Sequence, residues 1–138
     1  MTISAEYVIL ADSIRREDNG KFIFVGVYTG DIVLDHPPAP FNIEAYIKLR
    51  AEVRQPMEFT ITVHQASREQ PIARLRADAF ETPGEGPVSG DLLLPAFGVR
   101  AEGPDEIYFT MKVGDAEETE IGRTRIVLKD EPVTDQHD

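Results

Sequence analysis

Histidine and serine, the usual base and nucleophile of a hydrolase triad, are few in this chain. The histidines are His36, His64 and His137, and none has the His-x-x-x-His or His-Glu-x-x-His spacing of a helical zinc site. No serine lies in the Gly-x-Ser-x-Gly turn that exposes a nucleophile. The remaining hypothesis is a hydrolase in which strands bring Ser89, His64 and a carboxylate together. We expect His64 to lie on a sheet surface instead, and we predict no catalytic residue.

Acidic loops give a second, weaker candidate site. Ca²⁺ binds about six to eight oxygens, commonly from loop aspartates and main-chain carbonyls. The chain has no EF-hand loop and no Asp-x-Asp-x-Asp run, so we assign no metal-binding residue and no cofactor. Calcium or small-ligand binding by loops at one end of the domain stays the alternative function. The loop acids concerned are Asp12, Asp18, Asp31, Asp35, Asp105 and Asp115.

The segment at 84–91 is rich in glycine but is a poor phosphate-binding loop. Pro87 has no amide hydrogen to donate, and Glu85 and Asp91 would repel a phosphate. We therefore interpret this segment as a turn at the tip of a hairpin.

A polar sheet face is the third candidate, as a surface for contact with a partner. Tyr offers contact area and a hydroxyl at a small entropy cost, although Tyr and Thr are also good strand formers. The residues expected together on one such face are Tyr46, Tyr108, Thr60, Thr62, Thr110, His64, Glu44 and Lys48.

The composition describes an acidic domain without cysteine. The 138 residues include 14 basic and 25 acidic side chains, for a net charge of −11, and 41% of them are hydrophobic. This length suits a single packed core, which we place at residues 1–131, with a polar tail at 132–138. Without Cys the chain has no disulfides and no cysteine-ligated metals. The acid excess argues against nucleic-acid and anionic-membrane partners.

The first residues and the apolar runs bear on localisation. The start of the chain lacks the basic residues and the long apolar stretch of a signal peptide. Its apolar runs are too short to span a bilayer. We therefore expect a cytoplasmic protein.

Alternating apolar and polar residues dominate the chain, at 41–50, 57–64 and 106–113. Successive side chains of a β-strand point to opposite faces, so each segment predicts a strand with one buried and one exposed face. Two earlier segments, at 7–11 and 22–28, are apolar at nearly every position, which predicts strands covered on both faces.

Turn signals separate these segments and predict how they connect. Asn19-Gly20 predicts an antiparallel hairpin between the first two strands. About eight strands at regular spacing predict an all-β, single-domain antiparallel β-sandwich, and their polar outer faces favour a sandwich over a closed barrel. Short helical turns are allowed at 14–18 and 29–34. The further strands are expected at 72–80, at 92–94 with Pro95 at its end, at 98–101, and at 120–129 as a hairpin with 106–113.

An apolar strand that ends in Asp, at 7–12, is followed by Gly20-Lys21-Phe22-Ile23-Phe24-Val25-Gly26-Val27-Tyr28. In these residues the chain resembles a family of small bacterial proteins known only as a domain of unknown function. The strong match covers about residues 5–32, and a weaker one covers the glycine-preceded aromatic strand at 103–113. Members often carry Cys before the Asp, where this chain has Ala11. The resemblance implies an immunoglobulin-like or C2-like β-sandwich and implies no activity.

These observations predict a protein-interaction or self-association module that is not an enzyme. It would bind through a polar sheet face, through end loops, or by adding a strand at an open sheet edge. The expected partner is another protein or a second copy of the chain, and neither nucleic acid nor a membrane is expected.

Overall fold

Nine β-strands make up the described part of the chain. The computed structural model describes residues 3–52, 56–79 and 86–129. These ranges contain no helix, and therefore none long and apolar enough to cross a membrane. His137, the predicted tail at 132–138 and the first two residues of the glycine-rich segment lie outside them. The strands are β1 (Ile3–Arg16), β2 (Phe22–Tyr28), β3 (Ile32–Leu34), β4 (Ala39–Ala51), β5 (Met57–Gln65), β6 (Ala73–Ala79), β7 (Val88–Ala101), β8 (Asp105–Val113) and β9 (Thr119–Leu128).

The strands form two sheets. Sheet A has four strands in the order β2-β1-β4-β7, and sheet B has five in the order β3-β9-β8-β5-β6. The alternating segments place their apolar side chains between the sheets, where Ile43 and Ile47 of β4 share one core with Phe59 of β5 and Phe109 of β8. The predicted all-β fold is therefore confirmed, with two layers that are consistent with a β-sandwich.

One strand pair departs from the predicted antiparallel arrangement. β3 runs parallel to β9, with Ile32 opposite Ile126. Both isoleucines are buried, so the short strand is held by packing against β9 and not by a local turn. The prediction of an entirely antiparallel sandwich is wrong at this pair. The helical turn allowed at 29–34 is not formed, because this segment holds β3.

The predicted hairpin between the first two strands is confirmed. β1 pairs antiparallel with β2, from Leu10 opposite Tyr28 to Arg16 opposite Phe22. Gly20 in the turn has a φ of 84°, which glycine adopts without steric cost. Because β1 continues to Arg16, the helical turn allowed at 14–18 is also not formed.

β7 is one strand where the sequence predicts two. It pairs with β4 along its whole length, and the register shifts between Ile43 opposite Phe97 and Ala45 opposite Leu94. Pro95 lies in this irregularity at a sheet edge, where a residue without an amide hydrogen is tolerated. The preceding strand, β6, belongs to the other sheet. β6 and β7 therefore do not form a hairpin, and the interpretation of the glycine-rich segment as a hairpin tip is wrong.

Candidate functional site

The predicted polar face is divided between the two sheets. Glu44, Tyr46 and Lys48 lie on β4 of sheet A, whereas the Thr, His and Tyr residues of the predicted set lie on β5 and β8 of sheet B. The apolar faces of these strands share the core, so the polar faces point to opposite sides of the molecule. The prediction of one continuous face is wrong because alternation determines a residue's face but not its sheet.

His64 lies within a small polar cluster on the outer face of sheet B. Its Nε2 is 3.1 Å from Oγ1 of Thr110 and 3.5 Å from Oε2 of Glu118. The Thr110 hydroxyl also donates a hydrogen bond to Glu118. This bond, together with the nearby imidazole, holds the pKa of the Glu118 carboxyl below its usual value.

The geometry of this cluster does not match a nucleophile–base–acid triad. In such a triad the hydroxyl and the acid bond to different nitrogens of the imidazole, so that one orients the ring while the other loses its proton. Here Thr110 and Glu118 both lie at Nε2 of His64. Ser89 is an exposed residue of β7 in sheet A and does not approach this cluster. The arrangement connects β5, β8 and the turn before β9 instead.

Neighbouring side chains extend the cluster across sheet B. The ring of His64 stacks on Tyr108, with centroids 4.7 Å apart and an interplanar angle of 12°. The guanidinium of Arg123 lies 4.5 Å from the centroid of the Tyr108 ring. Arg123 also forms ion pairs with Glu106 and Glu120. The polar groups of this face are therefore paired with one another.

The loop acids considered for calcium binding are dispersed where the structure describes them. Asp31 pairs with Arg125 at 2.6 Å, and Asp12 accepts a hydrogen bond from the Tyr28 hydroxyl at 3.0 Å. Asp105 accepts hydrogen bonds at the opposite end of β8 from the turn that holds Asp115. Within the described ranges, no three His, Asp or Glu residues lie close enough to hold a metal ion.

Tyr46 is the centre of an aromatic cluster on the outer face of sheet A. Only 5% of its surface is exposed, and its ring centroid lies 5.1 Å from that of Phe22 and 5.5 Å from that of Phe24. Its hydroxyl donates to Asp91, which also pairs with Lys48 at 3.2 Å. Burial and this bond raise the pKa of Tyr46. Tyr46 is therefore a packed residue and not part of a polar contact face.

The edge of sheet A beside this cluster is apolar and exposed. β2 has a strand partner on one side only among the described strands. Ile23, Val25 and Val27 expose 43%, 52% and 44% of their surface. The prediction that β2 is covered on both faces is therefore wrong. The all-apolar pattern was the available signal for this surface, but the same pattern is typical of a buried central strand.

Neither a scan against protein-family models nor a search of curated proteins found a match to this chain. The surfaces of the chain itself are therefore the basis for assigning a function. Of these, the polar clusters satisfy their own hydrogen bonds, whereas the β2 edge leaves apolar side chains in contact with water.

Proposed function

We propose that this protein is a non-enzymatic interaction module that self-associates by pairing β2 of one copy with β2 of another. The observation that carries the proposal is the exposure of Ile23, Val25 and Val27 on an edge strand. An unpaired edge presents main-chain donors and acceptors to any further strand, and soluble proteins usually blunt such edges with Lys, Pro or a covering loop. β2 contains neither Lys nor Pro.

The sequence of β2 favours a second copy as the occupant of this edge. A two-fold dimer buries the same patch on both subunits, so that patch must be complementary to itself. Every residue of β2 except Gly26 is apolar or aromatic. An antiparallel copy therefore brings apolar side chains against apolar side chains whichever register it adopts.

The charges at the two ends of β2 add little to an antiparallel arrangement. Arg16 and Lys21 flank the hairpin turn at one end of the strand, but Glu17 and Asp18 lie in the same turn. Asp31, which follows the other end, already pairs with Arg125 of its own chain. Each contact between the ends of two copies is exposed and contributes about 0–1 kcal/mol, so self-association depends on the apolar side chains of β2.

The finer features expected from the sequence belong to the same proposal. We place the protein in the cytoplasm as an immunoglobulin-like or C2-like β-sandwich of the small bacterial family that it resembles. The partner is a protein, here a second copy, and neither nucleic acid nor a membrane. The acidic composition supports this choice, because nucleic acid and anionic lipid both select basic surfaces.

Sedimentation velocity on Val25→Lys and Val33→Lys variants tests the self-association. Val33 is a matched control because it is 57% exposed on β3, one of the two edge strands of sheet B among the described strands. The unaltered chain and Val33→Lys are expected to sediment as dimers, and Val25→Lys as a monomer with an unchanged β-type circular-dichroism spectrum. The desolvation of a lysine ammonium in an apolar strand pair causes the loss.

Two outcomes would contradict the proposal. The first is that the unaltered chain sediments as a monomer at every concentration tested, as Val25→Lys is expected to do. The second is equal loss of the dimer in Val25→Lys and Val33→Lys, which would assign the contact to general surface apolarity and not to the β2 edge.

A further inference from the structure

The turn between β1 and β2 places a side-chain amide next to an unhindered main-chain nitrogen. Asn19 is followed by Gly20, and both residues are exposed. Asparagine is one of the thermally labile residues of proteins. Its Cγ can be attacked by the main-chain nitrogen of the next residue, because the product is a five-membered ring. The turn therefore holds the two groups that a covalent change without an enzyme requires.

Gly20 leaves the attacking nitrogen open to Cγ of Asn19. A Cβ built at Gly20 would meet no described atom within 4 Å, and glycine has no side chain of its own to shield the nitrogen. Ring closure also rotates the main chain around this nitrogen. Glycine tolerates that rotation better than any other residue, because it has no Cβ to restrict φ.

A hydrogen bond prepares the side-chain carbonyl of Asn19 for the attack. Its Oδ1 accepts a hydrogen bond from the main-chain N–H of Lys21 at 3.1 Å. Attack on Cγ moves negative charge onto this oxygen, and a donor that already points at the oxygen stabilises that charge. The same bond holds the side-chain amide alongside the Gly20 peptide group, which lies between the two bonded residues.

The other asparagine of the chain lacks these features. Asn42 lies in β4, where it is paired with Gly98 of β7. The next residue is Ile43, which is branched at Cβ and 0% exposed. The nitrogen that would attack Asn42 is therefore shielded by the side chain of Ile43 and held in a central strand of sheet A.

We propose that Asn19 is a site of spontaneous deamidation. The Gly20 nitrogen loses its proton and bonds to Cγ of Asn19. The bond from Cγ to the side-chain nitrogen breaks, and that nitrogen takes up a proton and leaves as ammonia. Water then opens the succinimide ring at either carbonyl, which gives aspartate or isoaspartate. The whole change consumes one water and releases one ammonia.

One hydrogen bond of the turn opposes the reaction. The Gly20 N–H donates to the main-chain carbonyl of Glu17 at 3.1 Å, so this bond must open before the nitrogen attacks. The net strength of such a bond changes a rate by about tenfold at most. Asn19 should therefore react about tenfold more slowly in the folded chain than in a free peptide of the same sequence.

Both products change the turn. Each adds a carboxylate beside Glu17 and Asp18, and therefore one more negative charge to the −11 of the chain. Isoaspartate also lengthens the main chain by one methylene inside the loop that the hydrogen bond from Glu17 N to Lys21 O closes at 2.8 Å. The hairpin end must therefore rearrange in the isoaspartate form. The reaction does not depend on self-association, because the turn lies outside β2.

Mass spectrometry on the full chain tests the proposal. The chain and the peptide acetyl-EDNGK-amide, which has the sequence of residues 17–21, are kept in the same warm, mildly alkaline buffer until half of the peptide has reacted. Trypsin then releases residues 17–21 from the chain, since it cuts after Arg16 and Lys21. A sample that is not incubated gives the background. We expect the mass increase of an amide replaced by a carboxyl, with isoaspartate as a separately eluting isomer, in this fragment and not in the fragment that holds Asn42.

Gly20→Ala is the matched variant. The added Cβ fits the turn, but it shields the attacking nitrogen, so the reaction at Asn19 should slow by at least about tenfold. Val25→Lys should react like the unaltered chain, which separates this result from the dimer. Equal rates at Asn19 and Asn42, an unchanged rate in Gly20→Ala, or a rate at Asn19 more than about a hundredfold below that of the peptide would overturn the proposal.

Discussion

At the scale of single residues, Gly26 and Asp12 show how one contact shapes the first hairpin. Ala11 and Ile14 both pack in the outer aromatic cluster although they are three residues apart, so the alternation of β1 breaks between them. The break coincides with Gly26 of β2, which has a φ of 71°. The Asp12 side chain lies over Gly26, in the space that a side chain there would occupy. The side chains of the hairpin therefore change faces at a position where only glycine fits.

Gly26→Ala is expected to destabilise the protein by about 2–5 kcal/mol. A positive φ costs a residue with a Cβ about 1–2 kcal/mol, and overpacking adds about 1–3 kcal/mol. A Cβ at this position would lie 2.8 Å from Cγ of Asp12. Urea unfolding measures the change.

Gly20→Ala is the matched control for that measurement. Gly20 has a similar φ of 84°, but no atom lies within 4 Å of the Cβ that would be added. Gly20→Ala should therefore lower the free energy of unfolding by only about 1–2 kcal/mol. In a double-mutant cycle, Gly26→Ala should cost less stability when Asp12 is also replaced by Ala, because the contact with the Asp12 side chain is then reduced. Equal effects of the two glycine substitutions would refute the contact with Asp12.

At the scale of elements, β5, β7 and β8 are joined at one end by two polar residues. Gln65 of β5 bonds to the carbonyl of Arg100 in β7 and to Asp105 in β8. Asp105 also accepts hydrogen bonds from Ser67 and from the main chain of Glu106. Burial raises the pKa of the Asp105 carboxyl, but these bonds outweigh it and hold the pKa below the usual value.

The lowered pKa of Asp105 predicts how the free energy of unfolding depends on pH. A carboxyl whose pKa is lower in the folded state stabilises the fold above its unfolded pKa, near 3.8. That contribution is lost as the pH falls through the folded value. Asp105→Asn should therefore lower the free energy of unfolding by about 1–3 kcal/mol at neutral pH. The difference from the unaltered chain should shrink below about pH 4.

Urea unfolding between acidic and neutral pH measures this difference. Asp115→Asn is the control, because Asp115 is exposed in the turn between β8 and β9 and should change stability by less than about 0.5 kcal/mol. A cost for Asp105→Asn that stays constant through the acidic range would show that the ionised carboxylate is not the stabilising form.

At the scale of the whole molecule, each sheet has a distinct surface chemistry. The outer face of sheet B is a network of ion pairs and a stacked imidazole, whereas sheet A carries an aromatic cluster and ends at the apolar β2 edge. The complete chain has a net charge of −11. Two copies that associate through β2 must therefore overcome long-range repulsion by burying apolar surface.

This balance predicts that salt strengthens the dimer. Raising NaCl from about 20 mM to about 300 mM shortens the screening length from roughly 20 Å to about 6 Å, which weakens the repulsion between the two copies. The apolar contact is not screened, so the dimer dissociation constant from sedimentation equilibrium should decrease. An increase would mean that attraction between opposite charges holds the copies together.

The sequence alone determines which face of each alternating strand is buried. Ile47, Phe59 and Phe109 are core residues because side chains of a strand alternate with a period of two, which is a local property of the backbone. The Asn19-Gly20 hairpin and the terminal hairpin are predictable for the same reason, since each joins neighbouring segments. Composition likewise determines the net charge and the absence of thiol chemistry.

Only the tertiary structure decides which strands are neighbours. The separation of Tyr46 from His64, the parallel pairing of β3 and the edge position of β2 all depend on contacts between residues far apart in the chain. An apolar segment such as 22–28 has the same pattern in the centre of a sheet and at its edge. The hydrogen bond from Gln65 of β5 to the main-chain carbonyl of Arg100 in β7 likewise exists only because the two sheets place the ends of these strands side by side.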